Sequence, residues 1–217
     1  MTDPLNPVPS ARDFEYDRRF FCTALPGDLT VSEQPSLIIQ SYYVHEDNYA
    51  LRVRVKTPGV RLDMDEGTDP YQALDRFQDR FAIATVTVKG PSLSGTRYEA
   101  EREIDPGIAV ELIKRGGKAL VKTRYTAWIG EDGWNLDVFG GDNFPLICAE
   151  AKRNKPVTNL LIPDFCTTEI TDDWRFSNDG LAEHPYSQWK DAFLAELERK
   201  GPRFHEGFGV NRTAAID

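Results

Sequence analysis

The feature that most restricts how this chain can fold is a set of short stretches in which charge recurs at every second position. Arg52 and Arg54, Glu99 and Glu101 (with Arg97), Lys122 and Arg124, Glu150 and Lys152 are spaced in this way, as are Glu15, Asp17 and Arg19 near the start. Successive side chains of a β-strand point to opposite faces, so each block occupies one face of its strand. The opposite faces carry Leu51, Val53 and Val55; Val86 and Val88; Tyr98 and Ala100; Val121, Thr123 and Tyr125; Leu136 and Val138; Ala149 and Ala151. In one strand this is the ordinary pattern of a sheet with one wet face. Across the set it is costly, because like charges side by side on a strand repel unless opposite charge lies between them. The blocks therefore point to a closed, mostly antiparallel β-barrel whose interior holds both signs.

Period-two alternation, interrupted by Gly, Pro, Asp and Asn, predicts strands over Phe14–Phe21, Leu37–Val44, Tyr49–Lys56, Ala82–Lys89, Arg97–Ile104, Leu120–Trp128, Trp134–Phe139 and Ile147–Lys152. Eight strands suffice to close a barrel and remove its edges. Three segments read as helices packed outside it: Pro70–Arg80, Gly107–Lys114 after Asp105-Pro106, and Pro185–Lys200, ended by Gly201-Pro202. In the last, Trp189, Phe193, Leu194 and Leu197 form a 3.6-period stripe expected to pack on the barrel exterior. The fold class is mainly β (α+β), with residues 1–217 expected as one domain, a core over about 14–200, and tails over 1–11 and 203–217 that lack apolar periodicity.

A formal net charge of −9 argues against nucleic-acid or anionic-membrane binding, which draw on surplus Lys and Arg. Cys22, Cys148 and Cys166 are widely spaced, odd in number and without C-x-x-C, so they read as reduced, partly buried thiols. No stretch is long and apolar enough to span a bilayer or serve as a leader, so a soluble cytoplasmic protein is expected, with a homodimer allowed. His45, His184 and His205 have no metal-ligand spacing and read as surface residues, and neither G-x-x-x-x-G-K-[ST] nor G-x-S-x-G occurs.

A triphosphate with bound metal would relieve the repulsion. Arg52, Arg54, Lys89, Lys122 and Arg124 suit phosphate oxygens, since guanidinium and ammonium groups match their geometry and charge. Mg2+ or Mn2+ takes oxygen ligands and reaches phosphates through a few carboxylates plus water. Glu15, Asp17, Glu99, Glu101, Asp137 and Glu150 are the candidates.

At these residues the chain resembles the CYTH family of triphosphate tunnel metalloenzymes, which includes class IV adenylate cyclases, thiamine triphosphatases and inorganic triphosphatases. The family's E-x-E-x-K opening is written here Glu15-Tyr16-Asp17-Arg18-Arg19, and its R-x-R strand Arg52-Val53-Arg54. Thr87-Val88-Lys89, Glu99-Ala100-Glu101, Lys122-Thr123-Arg124 and Leu136-Asp137-Val138-Phe139-Gly140 follow in the family's order. The late E-x-E is Glu150-Ala151-Lys152, and the R-aromatic-x-N element is Arg175-Phe176-Ser177-Asn178. The resemblance implies an eight-stranded tunnel with metal on Glu15, Asp17, Glu99, Asp137 and Glu150. Substrate would lie on Arg52, Arg54, Lys89, Lys122, Arg124 and Lys152, with catalytic parts for Arg19, Glu101 and Arg175. Three departures stand out. Asp17 shortens a carboxylate by one methylene, Arg19 replaces a lysine with a group that does not give up its proton, and Lys152 puts a cation where a carboxylate is expected.

The function expected is metal-dependent hydrolysis of a small triphosphate, with tripolyphosphate favoured over ATP or thiamine triphosphate because no base-binding element is recognisable. The alternatives are a class IV-type adenylate cyclase and a non-catalytic polyphosphate or nucleotide binder, the latter motivated by Arg19 and Lys152.

Overall fold

The structure is a computed structural model that describes residues 14–27, 34–47 and 49–214. Its centre is a closed antiparallel barrel of eight strands: β1 (Phe14–Cys22), β2 (Ser36–Glu46), β3 (Tyr49–Pro58), β4 (Ile83–Leu93), β5 (Thr96–Glu103), β6 (Lys118–Ile129), β7 (Asp132–Phe139) and β8 (Ile147–Arg153). Neighbours run in the order β1-β5-β4-β3-β2-β6-β7-β8, and β8 pairs back onto β1. Every strand read from the alternation is present, with ends moved by a few residues.

The apolar faces point outward and are covered. Leu37, Ile39, Val53, Val55 and Val121 lie beneath Leu74 and Phe77 of α1 (Pro70–Phe77) and Ala109 and Ile113 of α2 (Pro106–Arg115). Asp69 and Asp105 cap these helices by accepting hydrogen bonds from the first-turn N–H groups. The helix expected to reach Arg80 is α-helical only to Phe77 and finishes as a 3-10 turn. On the far side Phe20, Trp134, Leu136, Ala149 and Ala151 are covered by Val157, Leu160 and Ile162. With both outer walls buried, the charged faces have only the lumen left.

Residues 203–214 are not a tail. Glu169 closes β10 (Cys166–Glu169), and its carboxylate accepts from Arg18 at 2.6 and 2.8 Å on the outer face of β1. Arg18 also donates to Asn211 at 2.8 Å and stacks over Phe208 at 4.8 Å, while β11 (Arg212–Ala214) pairs in parallel with β9 (Leu161–Pro163). A buried guanidinium needs these partners, and they hold the segment in place. Residues 1–11 lie outside the described residues, as does the side chain of His45.

The third expected helix is interrupted. A 3-10 turn over Tyr186–Gln188 gives way at Trp189 (φ −137°) to α4 (Lys190–Lys200), preceded by the short α3 (Asn178–Glu183). Its stripe does not lie on the outer wall, and Leu194 is exposed. Phe193, Tyr186, Leu181 and Phe176 pack instead with Phe21, Tyr42, Ala50, Leu120, Phe139 and Cys148. Those six barrel residues share strand parity with Arg19, Gln40, Arg52, Lys122, Asp137 and Glu150, so the cluster is an apolar plug in one end of the lumen. Among the described residues no helix is long and apolar enough to cross a membrane.

Candidate functional site

The lumen carries the charges in two groups that face each other. In the strand order β1 and β8 stand opposite β2 and β3. Glu15 and Asp17 (β1) and Glu150 (β8) offer oxygens within 4.8 Å of one another. Across the lumen lie Arg52 and Arg54 (β3), flanked by Lys89 (β4) and by Lys122 and Arg124 (β6).

The acidic trio is held by its neighbours. Gly95, at the tip of the β4–β5 hairpin, has φ +69° and accepts from Asp17 N–H at 2.9 Å. A Cβ there would fall 2.4 Å from the Asp17 carbonyl oxygen, so only glycine lets the hairpin brace the strand. Arg19 Nε lies 3.5 Å from Asp17 and 3.9 Å from Glu150. Burial, with the neighbouring Asp17 charge, pushes the Glu150 carboxyl up to about 7. Lys152 donates to Glu15 and lies 3.6 Å from Glu150, while Lys89 donates to Glu15 at 3.1 Å and to Glu99 at 2.5 Å.

On the basic side, Arg124 grips Asp137 in a bidentate pair at 2.6 and 2.7 Å, and Lys122 donates to the same carboxylate at 2.7 Å. Burial would raise the Asp137 carboxyl, but Arg124 and Lys122 outweigh it and hold it well below the usual range. Arg52 donates to Thr87 at 2.8 Å and Glu101 at 2.9 Å, with Glu99 at 3.3 Å. Glu101 also accepts from Thr87 at 2.7 Å.

Arg54 differs from all of these. Its Nε donates to Gln40 at 2.9 Å, and among the described residues no carboxylate lies within ion-pair distance of it. Burial, then Arg52 and Arg124, drives its pKa down to about 9. A guanidinium does not surrender its proton in a protein, so the shift points to a half-buried positive charge crowded by other guanidinium groups.

Arg175 is not among the lumen residues. It pairs with Asp173 at 2.5 Å and stacks over Trp189 and Phe193 at 5.4 and 5.8 Å. Asn178, three residues on, does reach in and accepts from Lys122 at 2.7 Å. Charge spacing alone also passes over Gln40, Thr85 and Asp179. Gln40 and Thr85 are uncharged but share parity with the lumen set, whereas Asp179 lies on a short helix that alternation does not register. Cavities open on both sides of the charged zone. One of about 540 Å3 is bordered by Thr126, Trp128, Asn135 and Lys152, and one of about 370 Å3 by Arg19, Arg97, Trp174 and Asp179.

No family model matches the chain. An inorganic triphosphatase of Acetivibrio thermocellus is 32% identical over 108 residues, which cover 49% of this chain and 69% of the relative. The chain belongs to the CYTH family of triphosphate tunnel metalloenzymes. The crystal structure of the inorganic triphosphatase NE1496 superposes with a TM-score of 0.50 at 21% identity, covering 77% of this chain and 93% of that one. At that identity the likeness concerns the fold. Within the CYTH barrel, Asp17, Arg19 and Lys152, the three positions where this chain departs from the family signature, all lie at the acidic trio.

Proposed function

We propose that this CYTH protein hydrolyses a small linear triphosphate in its lumen, with inorganic tripolyphosphate as the preferred substrate. The observation that carries the reading is Arg54, a half-buried guanidinium with no carboxylate at ion-pair distance among the described residues, grouped with Arg52 and Arg124 across the lumen from three clustered carboxylates. A polyanion lying between these walls supplies the missing counter-charge, and bidentate guanidinium–phosphate contacts are among the strongest hydrogen bonds a protein makes. The named activity of the Acetivibrio thermocellus relative supports the same reading.

The donor set suits a hard divalent ion, Mg2+ or Mn2+: the trio supplies only carboxylate oxygens, within 4.8 Å of one another. Such an ion, when bound, screens charge on the phosphoryl group being transferred. The chain's own residues account for the rest. Asp17 and Glu150 are placed to hold the ion. Arg52, Arg54 and Arg124 fix the phosphates from the opposite wall, and Lys122 is oriented by Asp137 and Asn178. Arg19 adds positive charge beside Asp17 and Glu150, whose spacing is set by the β1–β8 pairing; as a guanidinium it does not accept the proton lost by the attacking water. Water adds to a terminal phosphorus as the bridging P–O bond breaks, the released electron pair stays on the pyrophosphate oxygen, and the proton lost by the water passes to a product phosphate oxygen or to solvent, giving phosphate and pyrophosphate. In this reading the lumen charges belong to the substrate machinery, while Arg175 belongs to the plug.

The test is to incubate the purified protein with tripolyphosphate, ATP or thiamine triphosphate, with Mg2+ or Mn2+, and to assay phosphate, pyrophosphate and cyclic AMP. Phosphate and pyrophosphate in equal amounts from tripolyphosphate support the proposal. Cyclic AMP with pyrophosphate from ATP identifies a cyclase instead, and tight binding without product identifies a binder.

A further inference from the structure

The next inference rests on the triphosphatase reading and concerns the number of metal ions at the same site. Lys152 places an ammonium among the carboxylates. It donates a hydrogen bond to one oxygen of Glu15 and lies 3.6 Å from Glu150 Oε2. The other Glu15 oxygen accepts from Lys89 at 3.1 Å. Both oxygens of Glu15 thus accept a lysine hydrogen bond, which leaves Asp17 and Glu150 as the members of the trio without one. Charge points the same way. Fully ionised, the trio carries three negative charges; of the four cations within 4.0 Å of it, Lys89 and Arg124 are shared with Glu99 and Asp137, and Lys152 and Arg19 offset two. What remains suits one divalent ion shared with phosphate oxygens; a second would face net positive surroundings.

We infer that Lys152 is a tethered cation standing where a second divalent ion would otherwise bind, so that the protein works with one exchangeable metal ion and one fixed ammonium. The backbone supports the placement. Lys152 is opposite Asp17 in the β1–β8 register and opposite Gly133 on β7, so its stem leaves the strand wall directly beside the trio.

The experiment is to titrate the protein with Mn2+ in the presence of a non-hydrolysable imido analogue of tripolyphosphate. Bound ions are counted by calorimetry, and the electron paramagnetic resonance spectrum is recorded. The wild type is expected to take one Mn2+ per chain with the six-line spectrum of an isolated ion. Lys152→Glu is expected to take two, with the broadened spectrum of a spin-coupled pair. Two ions in the wild type overturn the inference, as do no ions beside bound analogue, or a single ion in both proteins. If the wild type binds neither analogue nor Mn2+, the triphosphatase reading falls as well, which separates the two failures. Should Lys152→Glu not fold, as judged by circular dichroism, the wild-type count still decides, and Lys152→Gln is read by the same criteria.

Discussion

Replacing Arg54 by methionine keeps most of the side chain's length and removes its charge, and two opposite effects should follow. The Arg54 pKa is driven down to about 9 by burial and by Arg52 and Arg124, so its charge opposes the ligand-free fold by an amount on the order of a few kcal/mol before solvent screening. Solvent anions entering the lumen recover part of that. Gln40, which loses its donor, costs about 1 kcal/mol. A net stabilisation of about 1–2 kcal/mol remains, which at ~2–4 °C per kcal/mol for a chain of this size raises Tm by roughly 2–8 °C. Tripolyphosphate binding should weaken by about 10–100-fold, the worth of one charge-assisted contact at ~1.5–3 kcal/mol. Differential scanning fluorimetry with and without tripolyphosphate reads both effects at once: a higher Tm for the free variant and a smaller shift on adding ligand. A lower Tm with an undiminished ligand shift would mean that Arg54 is an ordinary structural residue and not a phosphate ligand.

Asp137→Asn leaves Lys122 and Arg124 buried without their shared carboxylate and should destabilise by about 3–5 kcal/mol, seen as a large fall in Tm that tripolyphosphate partly reverses. The Glu150 carboxyl, at about 7 in the fold against an ordinary 4.5, favours the folded state in its protonated form. That contribution is complete below the ordinary value and is lost as pH rises through about 7, so the metal-free protein loses stability over this window. Mn2+ binding must displace the same proton, so affinity should climb by up to about tenfold per pH unit to roughly 7 and then level off; calorimetry in buffers of different ionisation enthalpy checks it, and a flat profile contradicts it. Arg175→Ala should cost about 0.5–1.5 kcal/mol through its lost stacking and ion pair and change kcat/KM on tripolyphosphate by less than about threefold.

The barrel and its charged lumen were legible because strand alternation has a period of two, so Arg52 and Arg54, or Lys122 and Arg124, cannot face different sides. Which side is the inside follows from repulsion between like charges, and the outer walls around Leu74 and Trp134 bear that out. The plug was not legible. A 3.6-period stripe through Trp189 and Phe193 says that one helical face is apolar, not whether it meets a wall or an open end. Likewise the Arg18–Glu169 pair joins residues 151 apart in the chain, and no local pattern signals that the outer face of β1 buries a charge. Arg175 and Asn178 belong to one short sequence motif, yet the first falls in the turn over Trp174–Phe176 and the second begins α3, so they go to different places. Side chains set by strand parity could be read ahead of the structure, whereas those set by loop geometry could not.

A triphosphate is expected between Arg52, Arg54 and Arg124 on one wall and metal held by Asp17 and Glu150 on the other. The deciding measurement is a crystal structure with the imido analogue of tripolyphosphate and Mn2+, with the manganese located by its anomalous signal. Phosphate oxygens are expected at hydrogen-bond distance from all three guanidinium groups, with a manganese peak on Asp17 and Glu150. An empty lumen, with the analogue bound elsewhere on the protein, would contradict this placement.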